Sequence, residues 1–133
     1  MSRIMIAGTG SGSGKTTIVC GLCQCIKDLG RTPSALKCGP DYIDAMFHSR
    51  VLKMRTGNLD SWFCDKTMIR TLLAKKEKSS DITVIEGVMG YYDGVGGIST
   101  KASAYDLADT TDTPVILVVN SRGMSISLAA YIK

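Results

Sequence analysis

The run Gly8-Thr9-Gly10-Ser11-Gly12-Ser13-Gly14-Lys15-Thr16-Thr17 holds small residues, one lysine and adjacent hydroxyls in the order that phosphate binding requires. An apolar, strand-like stretch, Ile4-Met5-Ile6-Ala7, precedes it, and a helical pattern, Ile18, Leu22, Ile26 and Leu29, follows. A glycine-rich turn between a strand and a helix brings several backbone N–H groups together, and the helix N-terminus adds partial positive charge. Gly10, Ser11, Gly12, Ser13, Gly14, Lys15, Thr16 and Thr17 are therefore the candidate cradle for the phosphates of a nucleotide such as ATP. Lys15 can reach the β- and γ-phosphates, and the Thr16 hydroxyl can ligate Mg²⁺.

Other chemistry-bearing residues stand at the ends of apolar runs. Asp41 and Asp44 lie in Lys37-Cys38-Gly39-Pro40-Asp41-Tyr42-Ile43-Asp44. Two carboxylates at such an end can serve Mg²⁺ and a substrate, although Gly-Pro-Asp is also a common turn and Asp44 could cap a helix. Glu86 closes Ile82-Thr83-Val84-Ile85-Glu86, the position from which nucleotide hydrolases hold Mg²⁺ directly or through water. Asp93 lies just beyond it and can share its rim. The Asn120 amide could read a nucleobase or simply end a strand. His48 has no Ser or Cys at triad-like spacing, which gives nucleophilic catalysis little support. Met5, Met46, Met54, Met68 and Met89 read as fillers of core gaps.

These residues need a sheet to position them. Strand candidates are 3–7, 33–38, 81–86 and 114–120, and helices are expected near 14–29, 66–76, 101–110 and 125–133, with a further helical segment after the second strand. Ile82, Val84, Ile85 and Val115 to Val119 show little alternation, which points to strands buried on both faces. Strands alternating with helices imply an α/β fold with a mainly parallel sheet and helices on both faces. Gly94-Val95-Gly96-Gly97 reads as a loop. The final helical stretch should lead to another strand, so residues 1–133 read as part of a longer protein.

With 133 residues, 44% hydrophobic and 21% charged, the chain suits one globular domain. The net charge of +4 is modest. The densest basic run, Lys75-Lys76-Glu77-Lys78, fits a helix C-terminus better than a nucleic-acid patch. Ile4 to Ala7 is too short for a secretory leader, and no apolar run approaches the roughly 20 residues that cross a bilayer. The chain reads as cytoplasmic, with neither membrane nor nucleic acid as partner. Its five cysteines, three of them at 20, 23 and 25, read as small buried thiols in a reducing cytoplasm rather than metal ligands.

The usual phosphate loop has a glycine four residues before Gly-Lys-Ser/Thr, the position that Thr9 occupies here. With Gly8 as first glycine, the loop resembles those of dethiobiotin synthetase and the cobyrinic acid diamide synthases. Further segments occur in order: Gly39-Pro40-Asp41-Tyr42-Ile43-Asp44, Asn58-Leu59-Asp60, Glu86-Gly87-Val88-Met89-Gly90, Tyr92-Asp93-Gly94, and Val118-Val119-Asn120 before Arg122-Gly123-Met124. Together they closely resemble the N-terminal, ATP-binding domain of the cobyrinic acid a,c-diamide synthases, over nearly the whole chain. The resemblance implies a P-loop NTPase fold and an ATP-dependent ligase of corrin (cobalamin) biosynthesis. Such enzymes convert two side-chain carboxylates of a tetrapyrrole into carboxamides through acyl phosphates. It further implies Mg²⁺ at Thr16, Asp41 and Glu86, transition-state charge stabilised by Lys15, and Asp44 and Asp93 near the substrate carboxylate.

A complete member of that family continues into a glutaminase domain with a catalytic cysteine, and no cysteine follows Cys64. The resemblance therefore implies that residues 1–133 are a partial synthetase domain that takes ammonia from a glutaminase lying outside it. An interrupted sheet would expose apolar surface near the last helix and favour self-association, a homodimer included. The Ni-sirohydrochlorin a,c-diamide synthases, which amidate another tetrapyrrole, are the near alternative. A nucleotide-switch ATPase of the partitioning type is the distant one. Its branch carries an extra lysine early in the loop, where this chain has Gly10.

Overall fold

The computed structural model describes residues 2–132. Five strands, β1 (Ser2–Gly8), β2 (Pro33–Cys38), β3 (Arg55–Leu59), β4 (Ile82–Glu86) and β5 (Val115–Val118), form one sheet in the order β3-β2-β4-β1-β5. Every pairing is parallel. Helices α1 (Lys15–Asp28), α2 (Tyr42–Leu52), α3 (Lys66–Glu77), α4 (Ala104–Thr111) and α5 (Leu128–Tyr131) connect or follow the strands. A short 3₁₀ turn, Val95–Gly97, interrupts the connection between β4 and α4.

The two faces of the sheet have separate cores, as period-2 strands require. Ile6, Ala35 and Val84 point to one face, where Val19, Cys23 and Ile26 of α1 and Leu52 of α2 cover them. Met5, Leu36, Leu59 and Ile85 point to the other, beneath Ile69 and Leu73 of α3 and Leu107 and Ala108 of α4. Each such fully buried aliphatic side chain contributes about 1.5–3 kcal/mol. Helix starts are set by caps: Asp65 accepts from Met68 N, and Ser103 from Asp106 N. Each cap is worth about 1 kcal/mol.

The α/β class, the parallel sheet and the helices on both faces are as the sequence implies, and the helix ending in Lys75 and Lys76 is present. Four particulars differ. β3 is an additional strand, and its Arg-Thr-Gly-Asn-Leu sequence has no apolar signature because it lies at a sheet edge with only Leu59 fully buried. β5 is the opposite edge, and Ile116 and Leu117 are exposed, so its apolar run is not buried on both faces. The last helix is short, Leu128–Tyr131, and exposed, because no neighbouring face covers it. Of the methionines, Met5 is core and Met54 packs at its margin, whereas Met46, Met68 and Met89 are exposed on helices and a loop.

Candidate nucleotide site

The phosphate loop joins β1 to α1 at the carboxyl end of the sheet, where open α/β folds bind ligands. Gly14 sits at the head of α1 with φ 95°, and Gly12 has φ 73°, both left-handed conformations that suit glycine. Gly8 lets the loop fold close: a Cβ there would press on the Ser13 hydroxyl and lie 3.2 Å from the Lys15 stem, so both side chains would have to shift. The Lys15 side chain is buried, and its ammonium donates to the carbonyls of Gly10 (2.8 Å) and Met89 (2.7 Å). Burial and then the nearby Lys37 charge lower the Lys15 pKa, with Glu86, Asp93 and Asp44 opposing. Met89 holds its carbonyl toward Lys15 from a left-handed backbone (φ 45°) that costs a non-glycine residue about 1–2 kcal/mol. Ser13 Oγ is buried without a hydrogen-bond partner among the described residues.

Beside the loop lies a cluster of charges built by three elements. β2 and β4 are adjacent, and their register pairs Lys37 with Glu86. Both side chains point to the α1/α2 face, one step beyond the Ala35 and Val84 layer. Lys37 Nζ donates to Glu86 Oε1 at 3.0 Å and to Asp44 Oδ2 at 2.6 Å, and Asp41 Oδ2 lies 3.9 Å away. Thr16 Oγ1 donates to the same Glu86 oxygen at 2.6 Å. His48 Nε2 meets the other, Oε2, at 2.8 Å. Glu86 is only 1% exposed. Burial alone would raise its pKa, but hydrogen bonds from His48 and Thr16 and the Lys37 charge outweigh it and hold the value at about 2. Burial works against the Lys37 ammonium too, yet its bonds to Asp44 and Glu86 leave its pKa raised. Both groups are thus charged at neutral pH.

Asp41 caps α2 through Oδ1, which accepts from Ile43 N (3.1 Å) and Asp44 N (3.4 Å). Asn58, at the end of β3, ties the preceding turn by donating to the carbonyls of Gly39 (2.8 Å) and Asp41 (3.0 Å). Ser11, Gly12, Gly14, Lys15, Thr16, Thr17, Lys37, Asp41, Asp44 and Glu86 line one open cavity of about 580 Å³, together with Val88 and Met89. Among the described residues no three His, Cys, Asp or Glu side chains converge as a metal-binding group.

Two residues singled out from sequence lie apart from this cavity. Asp93 accepts from Gly90 N at 2.8 Å and lines an adjoining cavity of about 560 Å³ with Thr9, Tyr91, Tyr92 and β5 residues. Asn120 is exposed beyond β5, and its Oδ1 accepts from Arg122 N at 3.1 Å. Sequence reasoning assigned no role to Lys37, His48 or Asn58. A lysine inside a strand buried at every position was the available signal for Lys37. His48 does have a cysteine neighbour: Cys20 Sγ is 3.4 Å from Nδ1. Burial, then Glu86 and Asp44, push the Cys20 thiol pKa up, so the pair is not an activated nucleophile.

The nucleotide-binding domain family described as CobQ/CobB/MinD/ParA matches residues 4–122. The chain belongs to this family. Within it, the chain is 41% identical over 131 residues to a cobyrinate a,c-diamide synthase of Priestia megaterium, covering 98% of the chain and 28% of that protein. It is 44% identical over 133 residues to the enzyme of the same name from Listeria innocua, covering 99% and 29%. For that of Thermoplasma volcanium the identity is 45% over 131 residues, covering 98% and 29%. The family member described here thus spans less than a third of these curated relatives. Among its described residues no helix is long and apolar enough to cross a membrane.

Proposed function

We propose that this chain is the ATP-binding synthetase part of a cobyrinate a,c-diamide synthase, acting on the a- and c-side-chain carboxylates of a corrin precursor. The observation that carries the reading is the Lys37–Asp44–Glu86–Thr16 cluster facing the phosphate loop across one cavity. A nucleotide-binding switch needs the loop; activation of a carboxylate also needs cationic and acidic groups next to the transferred phosphate. The names of the relatives supply the substrate class.

In this reading the substrate carboxylate oxygen attacks the γ-phosphorus, the bond to the β–γ bridging oxygen breaks, and ADP departs. Ammonia then attacks the acyl carbon, inorganic phosphate leaves and a proton is lost, giving the carboxamide. The first step is needed because a carboxylate is a poor electrophile. Lys15 exchanges its two carbonyl partners for phosphate oxygens, and with the amides of residues 10–17 stabilises charge on the phosphoryl group in transfer. Lys37 keeps positive charge where the anionic carboxylate and phosphate must approach. Asp44 orients Lys37 and, with Asp93 acting from the adjoining cavity, lies near the substrate carboxylate. Asn120 is assigned to the nucleobase.

Thr16, Asp41 and Glu86 offer hard oxygens on the cavity wall, and Mg²⁺ commonly needs no more than one or two carboxylates besides phosphate and water. That three acidic groups already gather around one ammonium makes the donor set suited to a cation. Mg²⁺ held there would screen the phosphates. In this reading nitrogen arrives as ammonia from a glutaminase domain outside residues 1–133. The test supplies the chain with MgATP, cobyrinate and either ammonia or glutamine, and follows ADP and the mono- and diamide by mass spectrometry. Amide with ammonia alone is expected. ATP-driven dimerisation without cobyrinate-dependent ADP release would refute the synthetase reading.

A further inference from the structure

The Glu86 carboxylate is shared between two sets of partners. Oε1 faces the cavity and takes both cavity-side bonds, from Thr16 (2.6 Å) and Lys37 (3.0 Å). Oε2 points away, toward His48, whose side chain is 2% exposed. A carboxylate only accepts, so His48 Nε2 carries the hydrogen in this bond. Cys20 Sγ lies 3.4 Å from the other ring nitrogen, Nδ1, so the imidazole is held at both nitrogens. The contacts therefore run in series, from Cys20 through His48 to Glu86.

The spacing explains how the relay is built. Thr16 and Cys20 are four apart on α1, and Asp44 and His48 four apart on α2, so each pair shares a helix face. α1 approaches Glu86 directly through Thr16 and indirectly through Cys20 and His48. α2 approaches the Lys37–Glu86 pair with Asp44 and His48. Without the His48 donor, Oε2 would be a buried, unpaired carboxylate oxygen, and rotating the carboxylate to relieve it would turn Oε1 off the cavity.

We propose that His48, held on its other side by Cys20, is a positioning residue that keeps Glu86 with Oε1 toward the cavity, so that metal-dependent nucleotide binding depends on a side chain that touches neither nucleotide nor metal. The inference rests on the assignment of Glu86 to the Mg²⁺ environment. Partners of this kind behind a metal ligand typically change metal affinity about 10–100-fold when removed.

The experiment measures the affinity of the full chain for a fluorescent ATP analogue, with Mg²⁺ and with EDTA, in wild type, His48→Leu, His48→Gln and Cys20→Val. The expected result is that His48→Leu loses about ten-fold or more of the Mg²⁺-dependent tightening, with affinity in EDTA within about two-fold of wild type. Gln can place an amide N–H near the Nε2 position, and His48→Gln should recover most of the tightening. Cys20→Val should lose a smaller part, because the ring keeps its bond to Glu86 but loses its contact at Nδ1. Full tightening in His48→Leu, or equal losses in Mg²⁺ and EDTA, would overturn the proposal and leave the synthetase reading standing. Absence of tightening in wild type would overturn the Mg²⁺ assignment itself and this inference with it. If His48→Leu lacks a cooperative melt, Cys20→Val decides: a loss confined to Mg²⁺ supports the relay, and unchanged tightening overturns it.

Discussion

Replacing Lys37 by methionine removes a charge while keeping an unbranched side chain of similar length. Lys37 is 5% exposed and donates to Asp44 at 2.6 Å and Glu86 at 3.0 Å. At an effective dielectric near 20, each contact represents about 5.5–6.5 kcal/mol of gross attraction, most of it offset by the desolvation of an ammonium. The net loss is set by what remains: a Glu86 carboxylate that is 1% exposed and faces Asp44 without a cation between them. Removing one partner of such a buried pair costs about 3–5 kcal/mol. For a chain of 133 residues that corresponds to a fall in Tm of about 11–18 °C. The assay is thermal and urea unfolding without nucleotide, in EDTA and in millimolar Mg²⁺. Because Asp41, Asp44 and Glu86 then lack their cation, Mg²⁺ should raise the Tm of Lys37→Met more than that of wild type. Adding Asp44→Asn to Lys37→Met should recover about 1 kcal/mol, since one of the two unpaired carboxylates is removed. A Lys37→Met variant as stable as wild type in EDTA would refute the reasoning, because the carboxylates would then not depend on this ammonium.

Three further outcomes follow from the same geometry. Lys15→Ala should weaken ATP binding by at least ten-fold in calorimetric titration, because the ammonium within the loop is replaced by two unpaired backbone carbonyls where the phosphates approach; unchanged affinity would remove Lys15 from the site. Glu86, held at about 2 against an ordinary 4.5, should contribute on the order of 3 kcal/mol of stability. As its pKa is depressed in the folded state, that contribution is present above pH 4.5 and is lost as pH falls from 4.5 toward 2. Urea titrations across that range should show the slope in wild type and a flattened one in Glu86→Gln. Burial pushes the Cys23 and Cys38 thiols up to about 12, whereas Cys25 is exposed, so alkylation of the native chain followed by peptide mapping should label Cys25 first and Cys23 and Cys38 only on unfolding.

Local order along the chain makes much of this protein legible in its sequence. A phosphate loop works through consecutive backbone amides and the helix that follows, so Gly8 to Thr17 declares itself within ten residues. The buried strands β1, β2 and β4 show as apolar runs, and parallel order follows from helices alternating with them. Edges are less legible. β3 is a polar edge strand with one fully buried residue, so no apolar run announces it, whereas β5 leaves Ile116 and Leu117 exposed and the last helix has no covering face, so there hydrophobic pattern and environment disagree. The site beyond the loop was decided by tertiary structure. Strand register places Lys37 opposite Glu86, 49 residues away, and the packing of α2 on α1 brings His48 between Cys20 and Glu86. Spacing within one element can show that Asp44 and His48 share a face, but not which carboxylate or cation that face meets. Those partners depend on which strands pair and in what register, and the energy that selects the pairing comes from the apolar layers beneath, Ala35 and Val84 on one face and Leu36 and Ile85 on the other.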